Sequence, residues 1–433
     1  MDYYRQPQRD IPVAGQSDVL VCGGGPAGVA AAICAARQGA TVRLIELAGC
    51  LGGIWTSGCL SWFCDAGNKR GLLEELIQEL ERRHGRPYAP GPRLDGFNPE
   101  VFKLLLDELC LRGGIEVQLH TRVVSAFGEG RELKYALTES KSGPQAWAAR
   151  VFVDCTGDGD LAAQAGCRFD VGRPENGQTQ PMSLIAVLAG VHVKDLRAFV
   201  DRQASTHAQR TSALRAEFNR AGVDPSYAAP GLFRVHDDLL LLMANHEYGV
   251  SALSAADVTR ATLAARAEVH RLVAALRGLG GPWANLQLVA TSSQIGTREG
   301  RRIAGRYRVT ADDLVAGARH PDAICRVTFP VDVHSTDPAK GKAYDNSGVR
   351  SQPYDVPLRA LESADLDNLL MAGRCISGDF LAHASYRVTG NATPMGQAAG
   401  TLAGLAVRLG LAPQQVPWEQ VAQSLQQQGA LPL

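Results

Sequence analysis

The chain has no net charge: its 433 residues include 44 lysines and arginines against 44 aspartates and glutamates. With no overall field to attract a polyanion or an anionic membrane, no nucleic-acid partner is expected. Long apolar runs are missing too. Nothing approaches the roughly 18 consecutive apolar residues of a membrane span, so none is expected. The opening MDYYRQPQRDIPVAGQ lacks the apolar centre of a signal peptide. A cytoplasmic location follows as the expectation. The ten cysteines form no CxxC pair and no Cys/His cluster of zinc spacing, which suits reduced thiols and no metal. Internal repeats are absent, and the polar QSLQQQ near the C-terminus is expected to fray. What remains, 45% apolar and 20% charged, is an ordinary globular composition. The length exceeds that of most single cores, so two domains are expected.

What the chain does have is a complete dinucleotide-binding unit in DVLVCGGGPAGVAAAICAARQGATVRLIE, Asp18 to Glu46. A short apolar strand, Val19 to Cys22, leads into Gly23-x-Gly25-x-x-Gly28 and a helix of small residues that Gly39 ends. A second strand, Thr41 to Ile45, then delivers Glu46. Each spacing has a reason. Gly23 permits the tight turn, Gly25 lets backbone N–H groups approach a diphosphate, and Gly28 brings helix and strand together. Glu46 stands where a carboxylate accepts from both hydroxyls of a ribose. Gly23, Gly25, Pro26, Ala27, Gly28 and Glu46 are the binding residues this unit implies.

Further along, Gly52-Gly53 offers a second loop for the diphosphate. Amphipathic helices are predicted at Gly71 to Arg83 and at Pro99 to Arg112, the latter capped by Asn98. Alternating segments from Ile115 to Ala149, with turns at Gly128 and Gly143, predict a small antiparallel excursion. A buried strand, Arg150 to Asp154, leads to Thr156-Gly157. From Cys167 to Pro357 the texture changes: strands at Ser183 to Leu188 and Asp238 to Met243 mix with helices at Lys194 to Arg220 and Ala255 to Arg277. A final strand, Leu369 to Ala372, precedes Gly373-Arg374, a loop to Arg387, and a helix from Pro394 to Leu409. The fold class expected is α/β, with a Rossmann-like domain over residues 15–167 and 358–433 and an inserted mixed α+β substrate domain over 168–357.

This pattern resembles the glutathione-reductase-like flavoproteins and, within them, a large bacterial family of FAD-dependent oxidoreductases. The carriers are GGGPAG with Glu46, Leu51-Gly52-Gly53, VFVDCTGDGDLAAQAG at 151–166, IGTREGRRIAGRYRVTADD at 295–313, and NLLMAGRCISGDFLAHASYRVTGNATPMGQAAG at 368–400. The resemblance implies FAD rather than NAD. It adds Gly52, Gly53, Thr156, Gly157, Gly373, Arg374, Asp379, Met395, Gly396 and Gln397 to the flavin-binding residues. Gly396-Gln397-Ala398 would start a helix whose free N–H groups and dipole stabilise negative charge on the reduced ring. Asp379 matches an aspartate that binds a ribityl hydroxyl, or else caps a turn. Cys59-x4-Cys64 resembles the redox pair of disulfide reductases but lies further beyond the glycines, and no second GxGxxG for NADPH appears. Ordinary buried thiols are therefore expected.

Four residues stand out as catalytic candidates. His383 and Arg387 flank Ser385-Tyr386 before the flavin helix, the first as a general base or a packed donor. Arg387 suits a substrate carboxylate, a flavin carbonyl or an internal ion pair. Arg298 leads a series (Arg301, Arg302, Arg306, Arg308) read as one helix with a solvated or paired face. His246 follows an apolar strand, and His334 in VDVHS has similar standing. The function implied is hydride transfer from a small-molecule substrate to flavin N5, with oxygen, a quinone or another electron acceptor reoxidising it. The alternatives are a single-component flavin monooxygenase using NAD(P)H, and a non-catalytic flavin-binding subunit or redox sensor.

Overall fold

The computed structural model describes Tyr4 and residues 8–86, 96–202, 204–337, 339 and 348–433. Strand β1 (Val13–Cys22) runs into helix α1 (Pro26–Arg37), and β2 (Val42–Ile45) lies parallel beside β1. Helix α2 (Leu72–Arg82) is followed by α3 (Pro99–Arg112), which starts as its sequence predicts: Asn98 accepts from the Glu100 N–H and Pro99 holds the first position. A parallel edge strand, β3 (Glu116–Gln118), precedes the antiparallel meander β4 (Arg122–Glu129), β5 (Glu132–Ser140) and β6 (Gly143–Asp154). The sheet order is β3-β2-β1-β6-β5-β4. The first hairpin turns at Gly130, which has a positive φ. Gly128, expected there, lies inside β4 at a register shift, where a Cβ would meet the Glu132 carbonyl at 2.3 Å.

After α4 (Asp160–Gln164) and the two-residue β7 (Phe169–Asp170), a second sheet forms from β8 (Ala186–Ala189), β9 (Gly231–Arg234), β10 (Leu240–Met243) and β11 (Gln287–Thr291). Its order is β11-β8-β10-β9 and all its pairs are antiparallel. Helices α5 (Arg197–Val200), α6 (His207–Arg220) and α7 (Ala255–Gly278) supply Val200, Leu214, Phe218, Val269 and Leu272 to a core shared with Leu188, Leu240 and Leu242. The one helix expected over 194–220 is broken in two. Thr206 and Gln209 form a capping box that starts α6 afresh.

The chain then returns through β12 (Arg302–Ile303), α8 (Ala311–Ala316), β13 (Ala323–Val327) and β14 (Tyr354–Pro357). Ile303, Val309, Leu314, Val327, Tyr354 and Val356 are buried in the same core as β1 and α1, not with the second sheet. Strand β15 (Leu369–Met371) pairs in parallel with the last residues of β6, on which α9 (Phe380–Tyr386), α10 (Thr389–Leu409) and α11 (Trp418–Gln427) follow. Two expectations fail here. The predicted loop to Arg387 contains α9, and α10 begins at Thr389, leaving Pro394 inside the helix. Proline keeps a helical φ but loses its own N–H bond and crowds the carbonyl four residues before it, here that of Gly390 in the first turn. The Gly390 N–H bonds the Cys64 carbonyl at 2.8 Å and holds that extra first turn in place. QSLQQQ is likewise no frayed tail, since Val421 and Leu425 anchor α11 in the core.

Helices α1 and α10 meet through glycine. A Cβ on Gly396 would lie 2.0 Å from the Ala27 carbonyl oxygen, one on Gly400 2.1 Å from that of Ala31, and one on Gly404 3.0 Å from that of Ala35. The register ascends together, so the helices run parallel at backbone contact. No helix among the described residues is long and apolar enough to cross a membrane. Gly400→Ala is expected to cost about 2–3 kcal/mol by overpacking. Arg408→Ala, on the exposed face of α10, should stay within about 0.5 kcal/mol. Urea denaturation of both variants checks the contact, and equal midpoints would remove it.

Candidate functional site: a dinucleotide cradle and a charged seam

The cradle is built as its spacing requires. Gly23 has φ +99° and donates to the Ile45 carbonyl; a Cβ there would strike the Cys155 carbonyl oxygen at 2.3 Å. Gly28 admits no side chain either, because the Gly23 carbonyl oxygen would be 1.7 Å away. Gly25 differs from both. Its backbone is extended (φ −72°, ψ −171°) and a Cβ would meet nothing within 4 Å, so the loop opens on free space at the N-terminus of α1. The second glycine loop leans on the first: Gly52 donates to the Gly24 carbonyl, and a Cβ on Gly53 would lie 2.9 Å from Gly25 Cα. Glu46 is buried at the tip of β2 with its carboxylate accepting from the Gly24 and Ala48 N–H groups. Burial raises its pKa against those bonds, and each oxygen keeps a lone pair for a hydroxyl.

At the end of β6, Thr156 and Gly157 are organised by a residue the sequence reading passed over. Asp154, fully buried, accepts from the Thr156 N–H at 3.0 Å and hydroxyl at 2.7 Å with one oxygen, and from the Ala162 N–H with the other. Burial pushes its pKa up to about 6. An aspartate closing the apolar run VFVD was the available signal. Gly157, at φ +81°, makes room for the Arg374 guanidinium, which pairs with Asp158 at 2.7 Å, and a Cβ on Gly373 would approach Ala27 to 3.1 Å.

The C-terminal segment departs from expectation. Asp379 is a helix cap: one oxygen accepts from Ala382 at the start of α9, the other from Ala311 at the start of α8. Gly396 packs on α1 and Met395 lies in the core. The Gln397 amide accepts from the Leu72 N–H and donates to Gln428. These three sit a full two turns inside α10, so its N-terminal dipole belongs to Thr389 and Gly390 instead. Rising 1.5 Å per residue, that first turn reaches roughly 10 Å beyond Gly396, past the start of α1.

Arg387 closes α9 just ahead of this turn and enters a charged seam between the two cores. One of its terminal nitrogens donates to the Asp332 carbonyl at 2.8 Å and to the Gln180 side-chain oxygen at 3.3 Å, and lies 3.4 Å from the Asp332 carboxylate. The same Gln180 oxygen accepts from the His334 N–H. His334 Nε2 lies 3.3 Å from the Asp332 carboxylate. His246 packs against His334 at 4.8 Å and against Tyr227 at 4.1 Å between ring centroids, with its Nδ1 3.2 Å from the Tyr248 hydroxyl. Its backbone is held by Ser226, while neighbouring Asn245 pairs both ways with Leu184. Arg298 donates to the Pro181 carbonyl and Ser183 hydroxyl, and Glu299 joins the Gln180 N–H to Arg302. Arg387, Arg298 and His246 thus converge from three segments. Asp332, Gln180, Glu299, Tyr227 and Tyr248 were missed, because only tertiary contact brings them there.

Charge in the seam follows burial. Burial opposes ionisation of Asp332, but His334, Arg387 and Arg298 outweigh it and hold its pKa down to about 2. Burial, with Arg298, holds His334 down to about 4 and keeps His246 far below the ordinary histidine value. Arg387 drops to about 10 through burial and the nearby Arg298, Asp332 partly restoring it. His383 is fully buried in α9 and neutral, penalised by burial and by Arg302, Arg387 and Arg374.

The arginine series is a correction. Residues 298–308 form no helix; glycines interrupt it, and a Cβ on Gly300 would lie 2.0 Å from the Asp158 carboxylate. Each side chain is engaged separately, Arg301 with Asp160, Arg302 with Glu299, Arg306 with Glu362 and Arg308 with Asp170. Cys59 and Cys64 are unbridged, and burial raises their pKa values to about 11 and about 12.

A mixed sheet whose first parallel turn leaves free space at a helix N-terminus, with an acid at the tip of the second strand, defines a dinucleotide-binding flavoprotein fold. The chain belongs to the family of FAD dependent oxidoreductases, which it matches over residues 18–425. It is an enzyme, and FAD is its cofactor. No curated protein matches this sequence. Among solved structures, it is similar to the myxobacterial chondrochloren halogenase, an FAD-dependent halogenase, at 12% identity and TM-score 0.50, covering 96% of this chain and 80% of that one. A geranylgeranyl bacteriochlorophyll reductase-like protein from Thermoplasma acidophilum gives 13% and 0.49, covering 96% and 82%. The p-nitrophenol 4-monooxygenase of Pseudomonas putida gives 11% and 0.45, covering 95% and 85%. Likeness at such identities is likeness of fold.

Gly25→Val adds a side chain without backbone strain into the open space. The flavin-free variant should melt within about 2 °C of the parent, while FAD affinity falls by about a hundredfold or more. Flavin absorbance after reconstitution reads the second effect, and a fully loaded variant would refute the cradle. His334 gives a pH prediction. Its folded pKa lies below the unfolded value, so its stabilisation is complete above about 6.5 and lost as pH falls through about 4. His334→Gln should flatten the stability profile across that window by up to roughly 3 kcal/mol. Parallel profiles for the two proteins would contradict it.

Proposed function

We propose that the chain is a dehydrogenase or oxidase that holds a small organic substrate at the seam beside Arg387, Arg298 and His246. FAD, when bound, would supply the acceptor for a hydride from the substrate, with oxygen, a quinone or another acceptor reoxidising it. Residues 15–167 and 358–433, together with the 302–357 segment that shares their core, hold the cofactor. The second sheet and its helices select the substrate. Support comes above all from one observation: residues from α9, from the segment around Arg298 and from the end of β10 meet at a single buried seam next to the first turn of α10.

His246 takes the substrate proton at Nε2. That atom is buried without a hydrogen-bond partner, and the ring is neutral near pH 7. His383 serves a positioning role in α9 beneath Arg387. The guanidinium of Arg387 orients the substrate and is itself oriented by Asp332. The dry walls of Tyr227 and His334 exclude water.

The deciding experiment is the anaerobic visible spectrum of the FAD-loaded protein with NADH, with NADPH, and with amines, hydroxy acids and unsaturated ring compounds. Bleaching by an organic compound, slowed about 10²–10³-fold in His246→Gln, is expected. Rapid bleaching by NADH or NADPH with hydroxylation of an added compound overturns the reading in favour of a monooxygenase. If nothing bleaches the flavin, a non-catalytic role takes its place.

A further inference from the structure

Asp154 closes β6 with a fully buried carboxylate whose two oxygens both act as acceptors. One takes the Thr156 N–H at 3.0 Å and the Thr156 hydroxyl at 2.7 Å, and the other takes the Ala162 N–H at 2.8 Å. An ionised carboxylate suits that arrangement and a protonated one does not. A proton on the second oxygen would face the Ala162 N–H. On the first it would face two donors of Thr156, whose hydroxyl oxygen already accepts from the Asp160 N–H at 2.8 Å.

The groups around this carboxylate do not favour its charge. Asp160 on α4 is a like charge, itself paired with Arg301. Cys22 at the end of β1, the adjoining Cys155, Cys167 beyond α4 and Cys375 beyond β15 are thiols kept neutral by burial. Burial lifts Asp154 itself to about 6 against its three hydrogen bonds. With the folded value above the unfolded one, its contribution to stability is complete below about 4 and lost as pH rises through about 6. At neutral pH the chain therefore carries a charge that its own fold disfavours.

The turn this charge holds backs onto the dinucleotide cradle. A Cβ on Gly23 would lie 2.3 Å from the Cys155 carbonyl oxygen and 2.8 Å from Thr156 Cα, and the Cys155 N–H donates to the Cys22 carbonyl. With no side chain between them, a displacement of Thr156 passes directly to Gly23.

We propose that Asp154 is a positioning residue of the FAD site, and that only its ionised form holds the Thr156-Gly157 turn in the arrangement that takes the cofactor. Protonation releases the turn and lowers FAD affinity, and FAD binding in return expels the proton. The inference rests on the reading of Thr156 and Gly157 as flavin-binding residues and adds a proton-linked control of cofactor loading.

The test titrates the FAD-free full chain with FAD at a series of pH values, following flavin fluorescence, with calorimetry near the midpoint in two buffers of different ionisation enthalpy. If only the ionised fraction is competent, affinity should be about tenfold weaker near pH 5 than near pH 7.5. About half a proton should be released per FAD bound near pH 6. Asp154→Asn offers one acceptor oxygen in place of two, so it should bind about tenfold more weakly than the parent near pH 7.5, with a flat profile and no proton release. Glu46, whose pKa burial also raises, is retained in that variant. Thr156→Val removes only the hydroxyl donor, which should raise the Asp154 pKa and move the midpoint to higher pH; it remains informative if Asp154→Asn fails to fold. A flat profile in the parent, a slope that survives in Asp154→Asn, or an unmoved midpoint in Thr156→Val would overturn the proposal. The two readings fail separately. Parental affinity in Asp154→Asn near pH 7.5 removes the turn from the FAD site, whereas equal weakening at every pH leaves the turn there and removes only the proton-linked role.

Discussion

Everything at the site hangs on the backbone contact between α1 and α10. Helices normally keep 8–10 Å between axes because side chains stand between them. Glycine at 396, 400 and 404 removes that spacer, and alanines at 27, 31 and 35 meet it from the other side. The consequence is positional. Helix α1 starts at the dinucleotide turn, so a helix locked to it in register is locked to the cofactor cradle. The first turn of α10, and Arg387 just before it, therefore inherit their place from a contact two turns away. Gly373, packed on Ala27, fastens the preceding strand to the same point.

The seam then illustrates how charge is managed without water. Two cores meet there, and the charged side chains between them are buried. Ion pairs are kept where backbone groups finish the coordination, as with Glu299, which accepts from the Gln180 N–H as well as from Arg302. Histidines stay neutral because a further cation among arginines would cost more than the lost solvation returns. Asp332 alone holds its charge firmly, with His334 on one side and Arg387 on the other. His246 is kept neutral first by burial and then by Arg298 and His334.

The cradle was legible because its determinants are local: a turn, a close approach and an acid at fixed spacing act through the backbone of about thirty consecutive residues. The same holds for α3, where Asn98 and Pro99 name their own helix start. Legibility failed where tertiary contact overrides propensity. Pro394 reads as a helix start, yet the turn before it is held by Cys64, more than three hundred residues earlier in the chain. The arginines from 298 to 308 have helical spacing, yet each answers a different carboxylate or carbonyl and the segment stays extended. The side chains of Gln397 and Asp379 meet helix starts at Leu72, Ala311 and Ala382, capping being one of the two readings given for Asp379. Gln180 carried no signal at all, since an isolated glutamine before a proline looks like any surface residue.

The fold shared at TM-score 0.50 with an FAD-dependent halogenase is a likeness of fold alone, and the function proposed for this chain rests on its own seam. Strand β10 ends at Met243 and the chain continues through Ala244 into Asn245 and His246. Asn245 fixes the exit by pairing both ways with Leu184, so the histidine leaves the strand along one path only. Ser226 holds its backbone and Tyr248 its Nδ1, which leaves Nε2 as the single polar atom of the ring directed at the seam. The proposed proton acceptor is thus the ring whose strand exit, backbone and Nδ1 are each held by a named partner, whereas His383 is fully buried within α9.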